Sequence, residues 1–296
     1  MKPAPFDYVA PATVAETVEA LARHGDAAKI LAGGQSLVPM LNLRLARPSV
    51  VVDINGVREL DSLQEAGGML AVGALLRQRA LERWAVPRAP LFAEVMRWVS
   101  HVAIRNRGTV AGSIAHADPA AELPALLVCC EGSVVARGPA GERVIPAGDF
   151  FRGPLTTALG ADELVTEVRF ILPPPGAGYG FAEVARRHGD FALVGAVAVC
   201  SRRDDGAIAA ARLALFGVGD TPVRSAAPAA ALVGHEPTPA RIREAARAAA
   251  TALSPDSDLH ATAEYRRRVA AVLAERTLLA ATERSRRGAT DGGRAR

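Results

Sequence analysis

Two short glycine-bearing stretches constrain this chain more than anything else in it: Ala32-Gly33-Gly34-Gln35-Ser36-Leu37 and Gly108-Thr109-Val110-Ala111-Gly112-Ser113. Each follows an apolar run that reads as a strand, and each leads into a segment able to start a helix. Adjacent glycines let backbone N–H groups converge on an anion with no Cβ atoms in the way. A helix N-terminus just beyond adds free donors and partial positive charge. One such loop suits one phosphate. Two in one domain suit a pyrophosphate, so a dinucleotide is the first ligand to consider.

With 296 residues the chain can hold two domains. Half of it is hydrophobic and 22% is charged, which excludes disorder over most of its length. The formal charge of +4 is misleading, because five arginines against Asp291 place all of it in residues 284–296. The rest is neutral, and no folded element offers the basic face that nucleic acid requires. No segment suits a bilayer span or a secretory signal. Cys129, Cys130 and Cys200 include no C-x-x-C spacing and give an odd count, the pattern of a reduced, cytoplasmic protein with no cluster or zinc site of its own.

Along the chain, Thr13-Val14-Ala15-Glu16 is a capping-box pattern that opens a helix ending at Gly25. Strands are expected at 29–32 and 49–54, with a short helix over 38–45 between them. Hairpins are expected around Ala66-Gly67-Gly68 and Gly138-Pro139-Ala140-Gly141. Helices are expected at 77–83, 90–102 and 119–130, and a strand at 164–172. Pro173-Pro174-Pro175-Gly176 is the clearest boundary, since three prolines and a glycine continue neither strand nor helix. Three antiparallel strands (180–185, 194–200, 208–217) and three helices (226–232, 240–253, 261–283) follow. In the last helix Tyr265, Val269, Val272, Leu273, Leu278 and Leu279 read as the buried stripe. Hairpins without regular βαβ alternation make the fold α+β.

The two loops, in their order and context, resemble the flavoprotein (medium) subunit of the molybdenum hydroxylases, the family of xanthine dehydrogenases and aerobic carbon monoxide dehydrogenases. The resemblance spans almost the whole chain. It runs through Phe6-Asp7-Tyr8, the stretch from Leu31 to Pro39 and the stretch from Ile104 to Pro119. It resumes at Arg186-Arg187-His188-Gly189-Asp190-Phe191-Ala192 and Ala263-Glu264-Tyr265-Arg266. It implies a two-lobed FAD-binding domain of the vanillyl-alcohol-oxidase-like (PCMH) type over residues 1–175, with lobes of about 1–57 and 58–175. A smaller C-terminal domain of three-stranded antiparallel sheet plus helices would cover 177–284, and residues 285–296 would be a disordered tail.

By the same resemblance, Ala32, Gly33, Gly34, Gln35, Ser36 and Leu37, together with Thr109, Ala111, Gly112 and Ser113, would wrap the FAD pyrophosphate and ribityl region. His116 and Glu122 would lie near the ribityl–adenosine portion. The Leu164 backbone would approach the isoalloxazine ring, and Asp190 and Phe191 would cover it. Ala111 stands where many relatives carry glycine. No residue is assigned a catalytic or metal-ligating role. The implied function is electron transfer: FAD on this chain, [2Fe–2S] clusters on a small partner subunit and a molybdenum cofactor on a large one, assembled as a dimer of heterotrimers in the cytoplasm. The alternatives are a free-standing FAD oxidase or dehydrogenase acting on a small molecule, and a scaffold with vestigial loops.

Plainer readings cover the remaining features. Gly217-Val218-Gly219-Asp220 lacks the third glycine of a dinucleotide fingerprint and reads as a hairpin turn. Ser113, His116 and Asp118 are too close in sequence for a hydrolytic triad. Cys129 and Cys130 read as small core residues, and Arg266-Arg267-Arg268 reads as a solvated helix face.

Overall fold

The computed structural model describes residues 1–292. Its first unit is a three-stranded parallel sheet in which Val50–Asp53 lies between Asp7–Val9 and Ala28–Leu31. Val50, Val51 and Val52 are buried, as a central parallel strand covered on both faces should be. The Asp7–Val9 strand escapes sequence pattern because it is three residues long and sits at the sheet edge. Helix Val14–His24 is capped by Thr13, whose Oγ1 accepts from the Glu16 amide, while Glu16 reaches back to the Ala12 amide at 2.8 Å. The capping box thus closes one residue earlier than its usual form. Gly25 ends the helix at φ 51°.

The second unit is a five-stranded antiparallel sheet, ordered Leu63–Ala66, Met69–Gly73, Leu164–Ile171, Ser133–Gly138 and Gly141–Pro146. Both expected hairpins are present in it. The apolar helix Glu122–Cys129 is wholly buried, and both of its neighbouring cysteines lie in the core.

Beyond the proline turn, Gly178–Ala185, Ala192–Arg202, Ile208–Phe216 and Val223–Ser225 form an antiparallel sheet. It has four strands rather than the expected three, the fourth being too short to carry a pattern. The helix Ala263–Gly292 lies on one face of this sheet. It comes so close that a Cβ at Gly178 would sit 1.9 Å from Ala281 O and one at Gly180 2.2 Å from Thr277 O. The helix runs past the expected end at 283, and of the expected tail residues 293–296 lie outside the described residues. Its buried stripe is Arg266, Ala270, Leu273, Ala274, Thr277, Leu278 and Ala281; Val272 is exposed. The stripe is rotated from the apolar pattern because the glycine strand admits small side chains and backbone where larger ones would clash.

The opposite sheet face packs on the first domain. Phe181 stacks with Phe216 and meets Trp98 at 6.1 Å, and Trp98 meets His188 at 5.3 Å. Arg284 lies over the Tyr179 ring and pairs with Glu94 at 3.0 Å. No described helix is long and apolar enough to cross a membrane.

Candidate functional site

The first glycine loop leaves the strand Ala28–Leu31 and enters the short helix Leu37–Asn42. Gly34 takes φ +72°, a conformation L side chains avoid, and the Gln35 side chain folds back so that its Nε2 donates to Gly33 O at 2.9 Å. The second loop enters the helix Val110–His116 through Thr109, whose Oγ1 accepts from the Gly112 amide at 3.0 Å.

The loops touch. A Cβ on Gly33 would lie 2.6 Å from Arg107 O, 2.7 Å from Gly108 Cα and 2.9 Å from Thr109 N. Ala32 Cβ lies 4.0 Å from the Cβ position of Gly112. Residues about 75 apart in sequence are therefore brought to one backbone-rich cradle, half-buried at Gly33, Gly34, Gln35, Ser36, Gly112 and Ser113. The two helices that follow have six and seven residues, so their dipoles are small and the loop amides are the principal donors. Because its amide already serves the Thr109 cap, Gly112 contributes shape more than a donor. Ala111 is buried with its side chain in the core, so its Cβ points away from the cradle.

Arg105 anchors the second loop from beneath. It is buried, pairs with Glu82 at 3.0 Å, and donates to Val99 O and Ser100 O at 2.8 Å each. Arginine suits this place because its fork serves a carboxylate and carbonyls together.

Downstream, burial holds the His116 pKa below its ordinary value, opposed by Asp118. The ring is therefore neutral at neutral pH and can donate or accept a hydrogen bond. Asp118 accepts from the Ala120 amide at 2.8 Å. A cavity of ≈ 570 Å³ opens between the two domains, lined by Asp118, Ala120, Asp190, Phe191, Gly217 and Arg266 among others. Phe191 is 65% exposed at its edge. Glu122 and Leu164 lie away from this open surface. Glu122 is 9% exposed, and burial pushes its carboxyl up to about 7. Leu164 is buried at the start of its strand, which leaves its backbone as the part able to face a ligand. Of the expected site residues, those of the two loops form the glycine cradle, Asp190 and Phe191 line the inter-domain cavity, His116 ends the helix that leaves the cradle, and Glu122 and Leu164 lie in the packed region.

Sequence reasoning misread Arg266. It is 8% exposed and reaches under the cavity, donating to Leu193 O, to Gly217 O at 2.9 Å and to Asp258 at 2.6 Å. Pro119 O, on the first domain, accepts from the Gly217 amide at 2.9 Å, so Arg266 steadies the seam between domains. Arg266→Met leaves two carbonyls without this donor and Asp258 with only the His260 and Ala261 amides. We expect it to destabilise the chain by about 3 kcal/mol in urea unfolding.

A compact cradle of glycine and serine backbone has the features that the phosphates of a dinucleotide require, and these point to the class of the dinucleotide-binding flavoproteins. Comparison with known proteins specifies which. Residues 4–174 match the model of the FAD binding domain in molybdopterin dehydrogenase, and residues 179–281 match that of the CO dehydrogenase flavoprotein C-terminal domain. The 6-hydroxypseudooxynicotine dehydrogenase complex subunit alpha of Paenarthrobacter nicotinovorans is 40% identical, over 97% of each chain. The carbon monoxide dehydrogenase medium chain of Hydrogenophaga pseudoflava is 36% identical, over 96% of this chain and 99% of that one. The solved carbon monoxide dehydrogenase from Hydrogenophaga pseudoflava, in a form lacking the Mo-pyranopterin moiety, superposes with TM-score 0.92 at 37% identity, covering 96% of this chain and 99% of that one. The chain belongs to the FAD-binding subunits of the carbon monoxide dehydrogenase and molybdenum hydroxylase family. It is an oxidoreductase subunit with FAD as its cofactor.

Proposed function

We propose that this chain receives electrons from [2Fe–2S] clusters on a small partner subunit and passes them through its FAD to an external acceptor. A large molybdenum subunit would oxidise the substrate, and the assembly would be a dimer of heterotrimers in the cytoplasm. The observation that carries this reading is the contact between the two glycine loops. It makes one cradle from two distant segments, which supports a pyrophosphate as its ligand. FAD, when bound, supplies a centre that accepts electrons singly and releases them in pairs.

This chain's part is binding, orientation and exclusion of water. Ala32, Gly33, Gly34, Gln35, Ser36 and Leu37 would hold the pyrophosphate with Thr109, Ala111, Gly112 and Ser113. Neutral His116 and Glu122 would hold the ribityl–adenosine portion. The Leu164 backbone, Asp190 and Phe191 would enclose the ring. Burial pushes the Cys129 and Cys200 thiols up to about 12, and all three cysteines are core residues. That chemistry suits packing and supports a reading in which the clusters are held by another chain.

The test is purification of the chain co-expressed with its genomic neighbours, followed by acid release of the chromophore. The expected result is about one FAD per chain, with iron and molybdenum in co-purifying subunits. Flavin on the lone chain with direct turnover of a small substrate would favour the free-standing enzyme instead. Absence of flavin from the complex would overturn the reading.

A further inference from the structure

The two glycine loops touch, and a pair of side chains outside both of them ties one to the other. Asn55 lies in the turn Ile54–Gly56, directly after the central strand of the parallel sheet. Its Nδ2 donates to Ala32 O at 2.8 Å, on the first loop. Its Oδ1 accepts from Arg77 Nη2 at 2.6 Å, and Arg77 Nη1 donates to Arg107 O at 2.6 Å, on the approach to the second loop. The amide orientation of Asn55 follows from its neighbours: acceptors face the nitrogen and a guanidinium faces the oxygen.

Both members are fixed from behind. Asp53 accepts from the Asn55 amide at 2.9 Å and from its Nδ2 at 2.6 Å, and also from the Tyr8 hydroxyl. Arg77 forms a backbone bridge with Thr109. On either side of it, the Gln78 amide donates to Gly108 O at 2.9 Å and the Val110 amide to Leu76 O at 3.0 Å.

We infer that Asn55 and Arg77 are positioning residues, a clamp that sets the separation and orientation of the two loops and thereby the affinity for FAD. The inference rests on the functional reading above. A peptide group is planar, so pinning Ala32 O fixes the direction of the Gly33 N–H on the same plane. Arginine is required because two acceptors lie at the ends of one rigid fork, a geometry lysine cannot reproduce. Asn55 is exposed and Arg77 half-buried. Water competes for their hydrogen bonds, and their contribution to folding is correspondingly small. Their effect is on the shape of the cradle.

The experiment removes FAD from the co-purified complex and titrates it back by flavin fluorescence. Wild type is compared with Asn55→Ala, Arg77→Ala, Arg77→Lys and the Asn55→Ala/Arg77→Ala pair. Asn55→Ala and Arg77→Ala are each expected to raise Kd about tenfold. The pair should be little worse than either alone, because breaking the clamp at one point releases it. Arg77→Lys should fail to restore wild-type affinity, and the thermal midpoint of the FAD-free variants should match wild type. An unchanged Kd for Asn55→Ala overturns the clamp, as does recovery in Arg77→Lys, which would make Arg77 a bare charge. A wild-type complex that takes up no FAD overturns the functional reading itself, and is told apart by failing before any variant is compared.

Discussion

Gly33→Val is expected to leave the purified chain essentially free of flavin, and Gly33→Ala to weaken FAD binding at least about a hundredfold. The reason is the identity of the neighbours. A Cβ at Gly33 would lie 2.6–2.9 Å from Arg107 O, Gly108 Cα and Thr109 N. All three are backbone, so no side-chain rotation relieves the clash and the loops must separate. The other glycines in the cradle are more forgiving. A Cβ at Gly34 meets the ends of Leu31 and Val38 at 3.1 and 3.2 Å, so Gly34→Ala pays mainly the left-handed backbone strain of about 1–2 kcal/mol. At Gly112 the Cβ would meet Thr109 Oγ1 at 2.5 Å; that hydroxyl can rotate away, at the loss of a helix cap worth about 1 kcal/mol. The expected order of flavin loss is therefore Gly33 first, then Gly34, then Gly112. The check is flavin per chain from absorbance, alongside circular dichroism of the FAD-free proteins. Stoichiometric flavin in a folded Gly33→Val chain would remove the cradle as the binding site.

What the sequence reveals and conceals about this site follows from the range of each interaction. Glycine pairs, the Thr13 cap and the two hairpins are local devices, and each leaves its mark within a few residues. The contact between Gly33 and Thr109 is legible only as an inference that two anion loops should meet. The Asn55–Arg77 clamp leaves no such mark: its acceptors, Ala32 O and Arg107 O, are backbone atoms 23 and 30 residues away from their donors. The one available signal is Asp53-Ile54-Asn55, two turn-forming side chains directly after a buried strand. Arg266 misleads for the opposite reason. Three consecutive arginines look solvated, yet helical geometry points them in three directions, and the first lands under the domain seam. Glu183 is missed likewise. In the strand Gly178–Ala185 its neighbours Ala182 and Val184 join the helix-facing core, whereas Phe181 and Glu183 face the first domain.

That placement of Glu183 carries the second large effect. Glu183 is 8% exposed, and neither carboxyl oxygen has a hydrogen-bond partner among the described residues. Across the strand pair stands Gly195, over which the Phe216 ring lies, so the surroundings are apolar. Burial first, and then the charge of Glu122 across the domain seam, pushes the Glu183 carboxyl up to about 9 from an ordinary 4.5. Glu122 is itself raised to about 7 by burial, with Asp118 adding to the shift and Arg105 opposing it. The folded chain therefore keeps protons that the unfolded chain releases near pH 4.5. The stability this provides is complete below pH 4.5 and is lost as pH rises, through about 7 for Glu122 and about 9 for Glu183. By pH 8 the penalty at Glu183 is on the order of 5 kcal/mol. Glu183→Gln abolishes this titration while nearly preserving volume. Its urea-unfolding free energy is expected to match or fall slightly below wild type at pH 5 and to exceed it by about 4 kcal/mol at pH 8. Other carboxylates, such as Asp53 and Glu163, have lowered pKa values and shift both proteins in the opposite sense, so the difference between the two curves isolates Glu183. Parallel curves from pH 5 to 8 would mean that Glu183 is ionised in the folded chain, and the seam would then have to hold a cation or donor beside it.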